Sequence, residues 1–575
     1  MDYMEKYQRW LESDAVDAES KNELIQIKDN DNEIKERFYK DLEFGTAGLR
    51  GIIGAGSNRM NIYTVRRATQ GLCEDIKNSG EEAIKRGVVI AYDCRHMSRE
   101  FAIESARVIA ANGIKAYVFD ELRPTPELSF AVRFLGCARG IVITASHNPK
   151  EYNGYKAYGE DGSQLPPKSS DYVISIIEKT DIFDGVKVIS EQEAKDKGLL
   201  EIIGEDIDRE YLANVKKQSI TEEPIKKLGD GFSVIYSPFH GTGNKPVRRI
   251  LDMIGVKNLR IVKEQELPDP NFSTVKSPNP EEKAGFAIAI EMAKKERADL
   301  IFATDPDADR IGVIVIDEKG EFITLNGNQI GVLLSEFILR NKKENGTLTD
   351  KGAIIKTIVT TSMIYPIAKD YNVHVHDVLT GFKYIGEMIK DFETHDNYNE
   401  FLLGFEESYG YLSGTYARDK DAVVAAMLIT EMAADYKAKG MTLYDGLMHL
   451  YEKYGYYMEF TKPLTFAGID GSEKIKNIMK KFRTNPPKEF GGMKVTRMWD
   501  VKSGERTDFE TGKVEKLNLP SSDVFRYDLE GDGWFAVRPS GTEPKIKFYF
   551  GVCDNSYAKA KKKLDDCMAE MSKFI

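Results

Sequence analysis

Cysteine is scarce: five in 575 residues, at positions 73, 94, 137, 553 and 567. The number is odd, the spacing is scattered and no CxxC pair occurs, so neither a disulfide framework nor a cysteine-ligated zinc site is indicated. A reducing compartment is expected. Long hydrophobic runs are missing as well. The most apolar stretch, AVVAAMLI from Ala422 to Ile429, stops at Thr430 and Glu431, far short of the ~20 residues that cross a bilayer. The first residues, MDYMEKYQRWLESD, are charged and amphipathic and lack the apolar core of a secretory signal. The expectation is a cytoplasmic protein with no membrane partner. Positive charge is in deficit, with Lys+Arg 81 against Asp+Glu 92 and a net charge of −11. That balance argues against a general nucleic-acid binder, and an anionic ligand would need a local basic site. No low-complexity tract and no repeat of 20–50 residues is visible. A P-loop is absent too: GTGNKP from Gly241 is the nearest glycine-rich string, and it has neither GK[ST] nor GxGxxG.

Hydrophobic residues make up 41% and charged residues 30%, the balance of a folded chain with ample core. One hydrophobic core rarely grows past ~250–300 residues, so roughly four domains are expected. A long pattern recurs three times. GVVIAYD from Gly87 is a short β-branched run. It leads into SREFAIESARVIAANG, where Ala102, Ala106, Ile109 and Ala110 keep helical spacing and Gly113 marks a stop. IKAYVF, a helix near Pro126 to Leu135, and IVIT from Ile141 complete a strand–helix–strand–helix–strand unit. The second unit runs from FSVIY through a helix near Asn244, LRIV, a long helix from Glu281 to Glu296, and LIFAT from Leu300. The third runs from AIIKTIV through a helix near Ser362 to Asp370, VHVHDV, FKYIGEMIKDF and FLLGF from Phe401. Continuous apolar strands alternating with helices predict an α/β fold of three doubly wound βαβαβ domains with parallel sheets. The rest carries RPSGTEPK between strand-like GWFAV and IKFYF and ends in a Lys-rich amphipathic helix, predicting a fourth, α+β domain. The expected divisions are 1–208, 209–323, 324–455 and 456–575.

In doubly wound sheets, ligands sit beyond the carboxyl ends of the strands. The loops after the third strands read TASHNP, TDPDADR and GFEES, and equivalent placement predicts one shared cleft. TDPDADR sets Asp305, Asp307 and Asp309 on alternate residues, where they repel unless a cation lies between them. A solvated acidic turn is the plainer alternative. The EF-hand alternative fails, because its sixth position is Arg310 and its twelfth Ile316. Oxygen-only ligands suit Mg²⁺. TASHNP sets Ser146 beside His147. A capping serine in a turn is one alternative; a hydrolase elbow is another, but Thr144 and Asn148 stand where that motif needs glycines. RPSGTEPK offers Arg538, Ser540 and Thr542 with backbone N–H groups around Gly541, a phosphate cradle or an ordinary turn. Glu406 and Ser408 could hold neighbouring sugar hydroxyls or cap a helix. In FGTAGLRG, Arg50 is exposed in a glycine-rich loop, as an anion contact or a turn residue.

Together these strings resemble the α-D-phosphohexomutase superfamily. TASHNP resembles its phosphoserine loop, DPDADR its metal loop, GFEES its sugar loop and RPSGTEP its phosphate loop. All four occur in the expected order between about Phe44 and Phe550. FGTAGLRG and SPFHGTG also look like family segments, and RDKDAV (Arg418 to Val423) is most similar to the phosphoglucomutase branch. The resemblance implies four domains around a central cleft and a phosphoryl shift through a phosphoenzyme. Ser146 would carry the phosphoryl group. Asp305, Asp307 and Asp309 would hold one Mg²⁺ per chain with a phosphoserine oxygen. Lys156, in EYNGYK, matches a lysine that assists proton transfer; His147 is a second candidate, and Arg50 adds positive charge. Arg310, Glu406 and Ser408 would contact the sugar, with Thr380, Gly381 and Lys383 in the specificity loop. Arg538, Ser540, Gly541 and Thr542 would hold the idle phosphate. The implied reaction interconverts glucose 1-phosphate and glucose 6-phosphate through glucose 1,6-bisphosphate, which is also the activator. Phosphomannomutase, phosphopentomutase, bisphosphate synthase and a non-catalytic binding protein remain alternatives. The partner is a small sugar phosphate, and the protein is expected to be a monomer or weak dimer.

Overall fold

The computed structural model describes residues 1–45, 48–395, 399–466, 469–540 and 545–574. Its first sheet has six strands. Val88–Tyr92 lies at the centre, parallel to Ala116–Phe119 and Arg139–Ile143, and Leu200–Ile203 extends it at one edge. Every residue of Val88–Tyr92 and Arg139–Ile143 is buried, as strands covered on both faces require. The predicted helix is Ser98–Ala111, and Ala102, Ala106, Ile109 and Ala110 all enter the core. Gly113, at φ +76°, ends it. The Gly113 N–H reaches the Ala110 carbonyl at 3.0 Å and the Ile114 N–H reaches the Ile109 carbonyl at 3.2 Å. That paired closure needs a left-handed residue, which glycine adopts without Cβ strain.

The sheet is mixed rather than purely parallel. Tyr152–Tyr158 runs antiparallel to Arg139–Ile143, and Gly48–Ile52 runs antiparallel to Tyr152–Tyr158 with Arg50 opposite Gly154. Arg50 therefore stands on an edge strand and not in a loop. A reversal just after Ile143 folds the chain back beside its own strand, an option that an apolar run alone does not reveal.

The second sheet has Ser233–Ser237 parallel to Asn258–Ile261 and Leu300–Thr304, with Ile311–Ile316 returning antiparallel to Leu300–Thr304. The expected helix from Glu281 is shorter: a 3₁₀ turn at Lys283–Phe286 leads into Ala287–Lys295. Pro280 lies just before the turn, and a Cβ on Gly285 would meet the Phe239 ring at 2.8 Å, so the chain enters its helix only past that close contact. In the third sheet Gly352–Thr357 is parallel to His374–Val378 and to Glu400–Glu406. The C-terminal sheet is antiparallel, with Tyr456–Thr465, Lys545–Asp554, Trp534–Pro539, Phe525–Leu529 and Met493–Asp500 in neighbouring order. Helix Tyr557–Met571, capped by Ser556, buries Leu564, Cys567 and Met571 in that domain's core.

Three short helices at Tyr3–Glu12, Ala18–Gln26 and Asp31–Phe38 add a small core of their own. Trp10 is its centre, edge-on to Phe38, Tyr63 and Phe183 at 5.9, 5.1 and 5.4 Å between ring centroids.

The chain forms two compact units. One contains Met1–Val315, Gly320–Thr324 and Gly410–Asp435; the other contains Ile316–Lys319, Leu325–Tyr409 and Tyr436–Ile575. The first sheet and strands Ser233–Ser237, Asn258–Ile261 and Leu300–Thr304 belong to the former; strands Gly352–Thr357, His374–Val378 and Glu400–Glu406 and the C-terminal sheet belong to the latter.

Candidate active site

In the first unit the TASHNP and TDPDADR loops meet. Ser146 Oγ donates to Asp305 Oδ2 at 2.7 Å and lies 3.2 Å from His147 Nδ1. Ser146 is 3% exposed and sits at φ +52°, a left-handed conformation that costs a non-glycine residue ~1–3 kcal/mol unless its surroundings impose it. Arg95 imposes it. Its guanidinium donates to the carbonyls of Ser146 at 2.6 Å, Pro149 at 2.8 Å and Tyr152 at 3.0 Å, and also to that of Asn148. The same group lies 5.0 Å from the Phe272 ring centroid. The Thr144 hydroxyl accepts from the Ser146 N–H at 2.8 Å. The loop is thus fixed from both sides, with its hydroxyl aimed at the acids.

The three aspartates are buried, contrary to the exposed turn that their charge implies. Their exposures are 0%, 0% and 2%. Other segments close over the turn: the Thr242 N–H binds the Pro306 carbonyl at 2.8 Å, and Thr125 binds Asp307 through its N–H and its hydroxyl, each at 2.9 Å. The carboxylate oxygens offered by the three lie within 4.8 Å of one another. Two lysines offset their charge. Lys156 Nζ is 2.8 Å from Asp307 Oδ2 and 3.5 Å from Asp309 Oδ2, and Lys420 Nζ is 3.3 Å from Asp309 Oδ2.

This arrangement divides the acids. Burial and then the Asp307 and Asp309 charges push Asp305 well above the usual carboxylate range. Burial also works against ionising Asp307, yet Lys156 outweighs it and holds Asp307 low. Asp309 is raised by burial and by Asp307, but Lys420, Lys156 and Arg310 bring it below its usual value. Lys156 would be lowered by burial, and Asp307 and Asp309 raise it instead. Burial, then the Arg310 and Arg50 charges, hold His147 neutral. Asp307 Oδ1 and Asp309 Oδ1 remain buried without a hydrogen-bond partner. An unsatisfied carboxylate oxygen in a dry site is costly. Two of them, in a cluster with a third acid, fit a hard divalent cation with oxygen ligands.

Arg310 pairs with Glu281 at 3.0 Å and stands 3.7 Å from Asp309 Oδ1. Arg50 reaches Asn148 Oδ1 at 3.4 Å, next to the serine loop. Arg95, Thr125 and Lys420 were not singled out from the sequence. RDKDAV resembles a family string, and its Lys420 contributes directly to the acid cluster.

In the second unit Glu406 ends strand Glu400–Glu406, 4% exposed, and Ser408 follows two residues on. Gly381, at φ +119°, immediately precedes helix Phe382–Thr394, and Thr380 Oγ1 is buried without a partner. Lys383 Nζ lies 4.8 Å from the Tyr384 ring centroid. Burial lowers the Lys383 pKa, Glu387 opposes that, and the Arg538 charge adds to the lowering. Arg538 stands opposite Lys547 in the C-terminal sheet. Tyr549, on the strand bearing Lys547, has its phenol pKa raised by burial and by Glu407 and Glu406, while Arg538 opposes. The loop at residues 380–383, the GFEES loop and Arg538 therefore share one electrostatic neighbourhood. The Ser540 N–H binds the Lys545 carbonyl at 2.7 Å; Gly541 and Thr542 lie outside the described residues.

Comparison with known proteins accounts for this combination. The descriptions of phosphoglucomutase/phosphomannomutase alpha/beta/alpha domains I, II and III match residues 41–182, 209–320 and 326–454, and that of the C-terminal domain matches 485–569. A phosphoglucomutase of Staphylococcus aureus (strain bovine RF122 / ET3-1) is 38% identical over 524 residues, 91% of this chain and 92% of its own. One from Staphylococcus epidermidis is 37% identical over 538 residues, 93% and 95% of the two chains. The fold is shared with a phosphoglucomutase/phosphomannomutase family protein of Burkholderia thailandensis, with TM-score 0.66, 17% identity, and 92% and 97% of the chains covered. It is also shared with the Paramecium phosphoglucomutase pp63/parafusin, with TM-score 0.66, 18% identity, and 93% and 94% covered. Fold and site define a phosphotransferase of the mutase class. The chain belongs to the phosphoglucomutase/phosphomannomutase family, within the α-D-phosphohexomutase superfamily.

Proposed function

We propose that the chain interconverts α-D-glucose 1-phosphate and glucose 6-phosphate through a phosphoserine at Ser146 and a glucose 1,6-bisphosphate intermediate. The observation that carries this is the Ser146 hydroxyl, 2.7 Å from Asp305 in a buried triad that retains two unsatisfied oxygens. The names of the relatives support the sugar. In this reading the four domains divide at 1–208, 209–323, 324–455 and 456–575. The protein works in the cytoplasm as a monomer or weak dimer on small sugar phosphates, without nucleic acid or membrane. Among the described residues no helix is long and apolar enough to cross a bilayer.

Phosphoryl transfer needs positioning and charge neutralisation more than covalent chemistry from the protein. Bound by Asp305, Asp307 and Asp309, Mg²⁺ would neutralise charge on the phosphoryl group. Ser146 gives its phosphoryl group to a free sugar hydroxyl: a new oxygen–phosphorus bond forms, the Oγ–phosphorus bond breaks, and the hydroxyl's proton passes by way of His147 to the departing Ser146 Oγ. In the return step the Ser146 hydroxyl attacks the other phosphate of the bisphosphate: the Oγ–phosphorus bond forms, the phosphorus–oxygen bond to the sugar breaks, and the neutral His147 imidazole, 3.2 Å from Oγ, takes the serine proton and passes it to the departing sugar oxygen. Lys156 holds positive charge beside the triad. Glu406 and Ser408 accept and donate to neighbouring ring hydroxyls, whose similarity permits both sugar orientations. Arg538 and Ser540 hold the phosphate that is not transferred, and Thr380, Gly381 and Lys383 discriminate between sugars.

Coupled assays with glucose 1-phosphate, mannose 1-phosphate and ribose 1-phosphate test the substrate. The highest kcat/KM is expected with glucose 1-phosphate; a higher value with another sugar would reassign it. Phosphorus NMR of the mixture should show bisphosphate only at catalytic levels, and stoichiometric accumulation would point to a synthase. Glu406→Gln should lower kcat/KM for glucose 1-phosphate. Arg538→Ala should raise KM about tenfold or more, since a charged hydrogen bond contributes ~1.5–3 kcal/mol. Mg²⁺ affinity, set by the other unit's acids, should stay unchanged. A variant with wild-type KM would remove Arg538 from phosphate binding.

A further inference from the structure

GFEES contains a second glutamate that the proposed chemistry does not use. Strand Glu400–Glu406 ends at Glu406, and Glu407 and Ser408 lie in the turn that follows. There Glu407 Oε2 lies 3.2 Å from Thr357 Oγ1 and 3.4 Å from Thr360 Oγ1; one hydroxyl donates to it and the other donates to its fellow threonine. The two hydroxyls are fully buried and 2.7 Å apart. They belong to a tight turn after strand Gly352–Thr357, in which the Thr360 N–H binds the Thr357 carbonyl at 3.0 Å. Lys356, also fully buried, caps the same turn at the Thr357 and Thr360 carbonyls, at 3.2 and 3.3 Å.

The turn is fastened to the C-terminal sheet. Arg526 donates to the Ile358 carbonyl from within it, and Asp528 holds Arg526 at 3.1 Å. Ile358 and Val359 are buried in one cluster with Val501, Trp534, Ala536 and Tyr549. Trp534 lies on Arg538's strand and Tyr549 on its neighbour. Behind the loop, a Cβ on Gly327 would meet the Glu407 carbonyl oxygen at 2.2 Å, so helix Gly327–Glu344 also packs close against it.

We infer that Glu407 is a positioning residue for the proposed mutase: its carboxyl group ties the loop bearing Glu406 and Ser408 to the 357–360 turn, and through that turn to the sheet bearing Arg538. This role rests on Glu406 and Ser408 contacting the sugar. The charged groups around Glu407 are Glu406 on its own loop and Lys547 on strand Lys545–Asp554, with the Tyr549 phenol beside them. Burial, and then Glu406, raise its pKa to about 7, against Lys547 and Thr357. Below that pH the carboxyl is neutral, the form this buried setting favours; above it ionisation works against burial and the Glu406 charge. The clamp therefore loosens as pH rises through neutrality.

The test compares wild type, Glu407→Gln and Glu407→Ala from roughly pH 6 to 8.5. The substrate phosphate titrates near pH ~6 in all three, so the difference between wild type and Gln isolates Glu407. Wild-type KM for glucose 1-phosphate is expected to rise as pH passes 7. Glu407→Gln stands in for the neutral carboxyl and should lose that step while holding KM within about threefold of the low-pH wild-type value. Glu407→Ala should raise KM about tenfold at every pH and speed amide exchange of residues 404–409 by a similar factor. A wild-type pH step in the Gln variant would overturn the proposal, as would unchanged KM and exchange in the Ala variant. If wild type turns over none of the three sugar phosphates, the proposed function falls, and the exchange comparison still decides the clamp.

Discussion

Ser146→Ala is expected to cut mutase turnover by several orders of magnitude while leaving the fold intact. The hydroxyl is the only atom lost beyond Cβ, and phosphoenzyme formation depends on it. The loop's shape does not depend on it. The left-handed backbone at Ser146 is held by Arg95 through carbonyls and by Thr144 through the N–H, and alanine preserves all of these contacts. The local cost is one hydrogen bond to Asp305, ~1 kcal/mol. Sugar-phosphate binding should therefore survive. Intact-mass measurement after incubation with glucose 1,6-bisphosphate should show one added phosphoryl group on wild type and none on the variant. Near-normal turnover by the variant would refute the nucleophile.

Asp307→Asn should be nearly as severe. Asp307 has two roles: it supplies one of the unsatisfied oxygens, and it is the principal anchor of Lys156 at 2.8 Å. An amide keeps the shape, removes the charge and presents N–H₂ to the lysine or to the cation. Changes beyond the ligands of a metal typically cost 10–100-fold in affinity, so loss of a ligand's charge should weaken Mg²⁺ binding by about 100-fold or more. Titration calorimetry measures that without turnover. Chelation of wild type should abolish activity and added Mg²⁺ should restore it. The more tightly binding Zn²⁺ is expected to restore less, because it prefers other geometries. Equal Mg²⁺ affinity in variant and wild type would remove Asp307 from the metal site.

The parallel strands were legible because each is a short run of apolar residues that two helical layers cover. The helix Ser98–Ala111 was legible from its period and its glycine stop. The loops TASHNP, TDPDADR and GFEES stood out because polar groups occupy the ends of strands that are otherwise wholly apolar. What closes over those loops was not legible. The burial of three carboxylates depends on Thr125 and Thr242, which come from distant segments. Arg95 acts through backbone carbonyls, which carry no sequence signature at the receiving end. Arg50 read as a loop residue because glycines flank it, and the ladder opposite Gly154 decided otherwise. The three N-terminal helices are too short for periodicity to announce them; Trp10 and its aromatic neighbours hold them in place.

Lys420 reaches Asp309 from a stretch of chain that leaves the first unit at Thr324 and rejoins it at Gly410. The order of synthesis gives this a consequence. A ribosome that has released the aspartates must still make roughly a hundred residues, most of them destined for the other unit, before Lys420 emerges. At ~5–20 residues per second that interval is on the order of 10 s. Throughout it, the nascent acid cluster has Lys156 as its lysine and lacks the second. The electrostatic completion of the newborn acid cluster thus waits for Lys420 to arrive, on a segment that also packs against the acid loop through the Ala422 N–H and the Ala308 carbonyl.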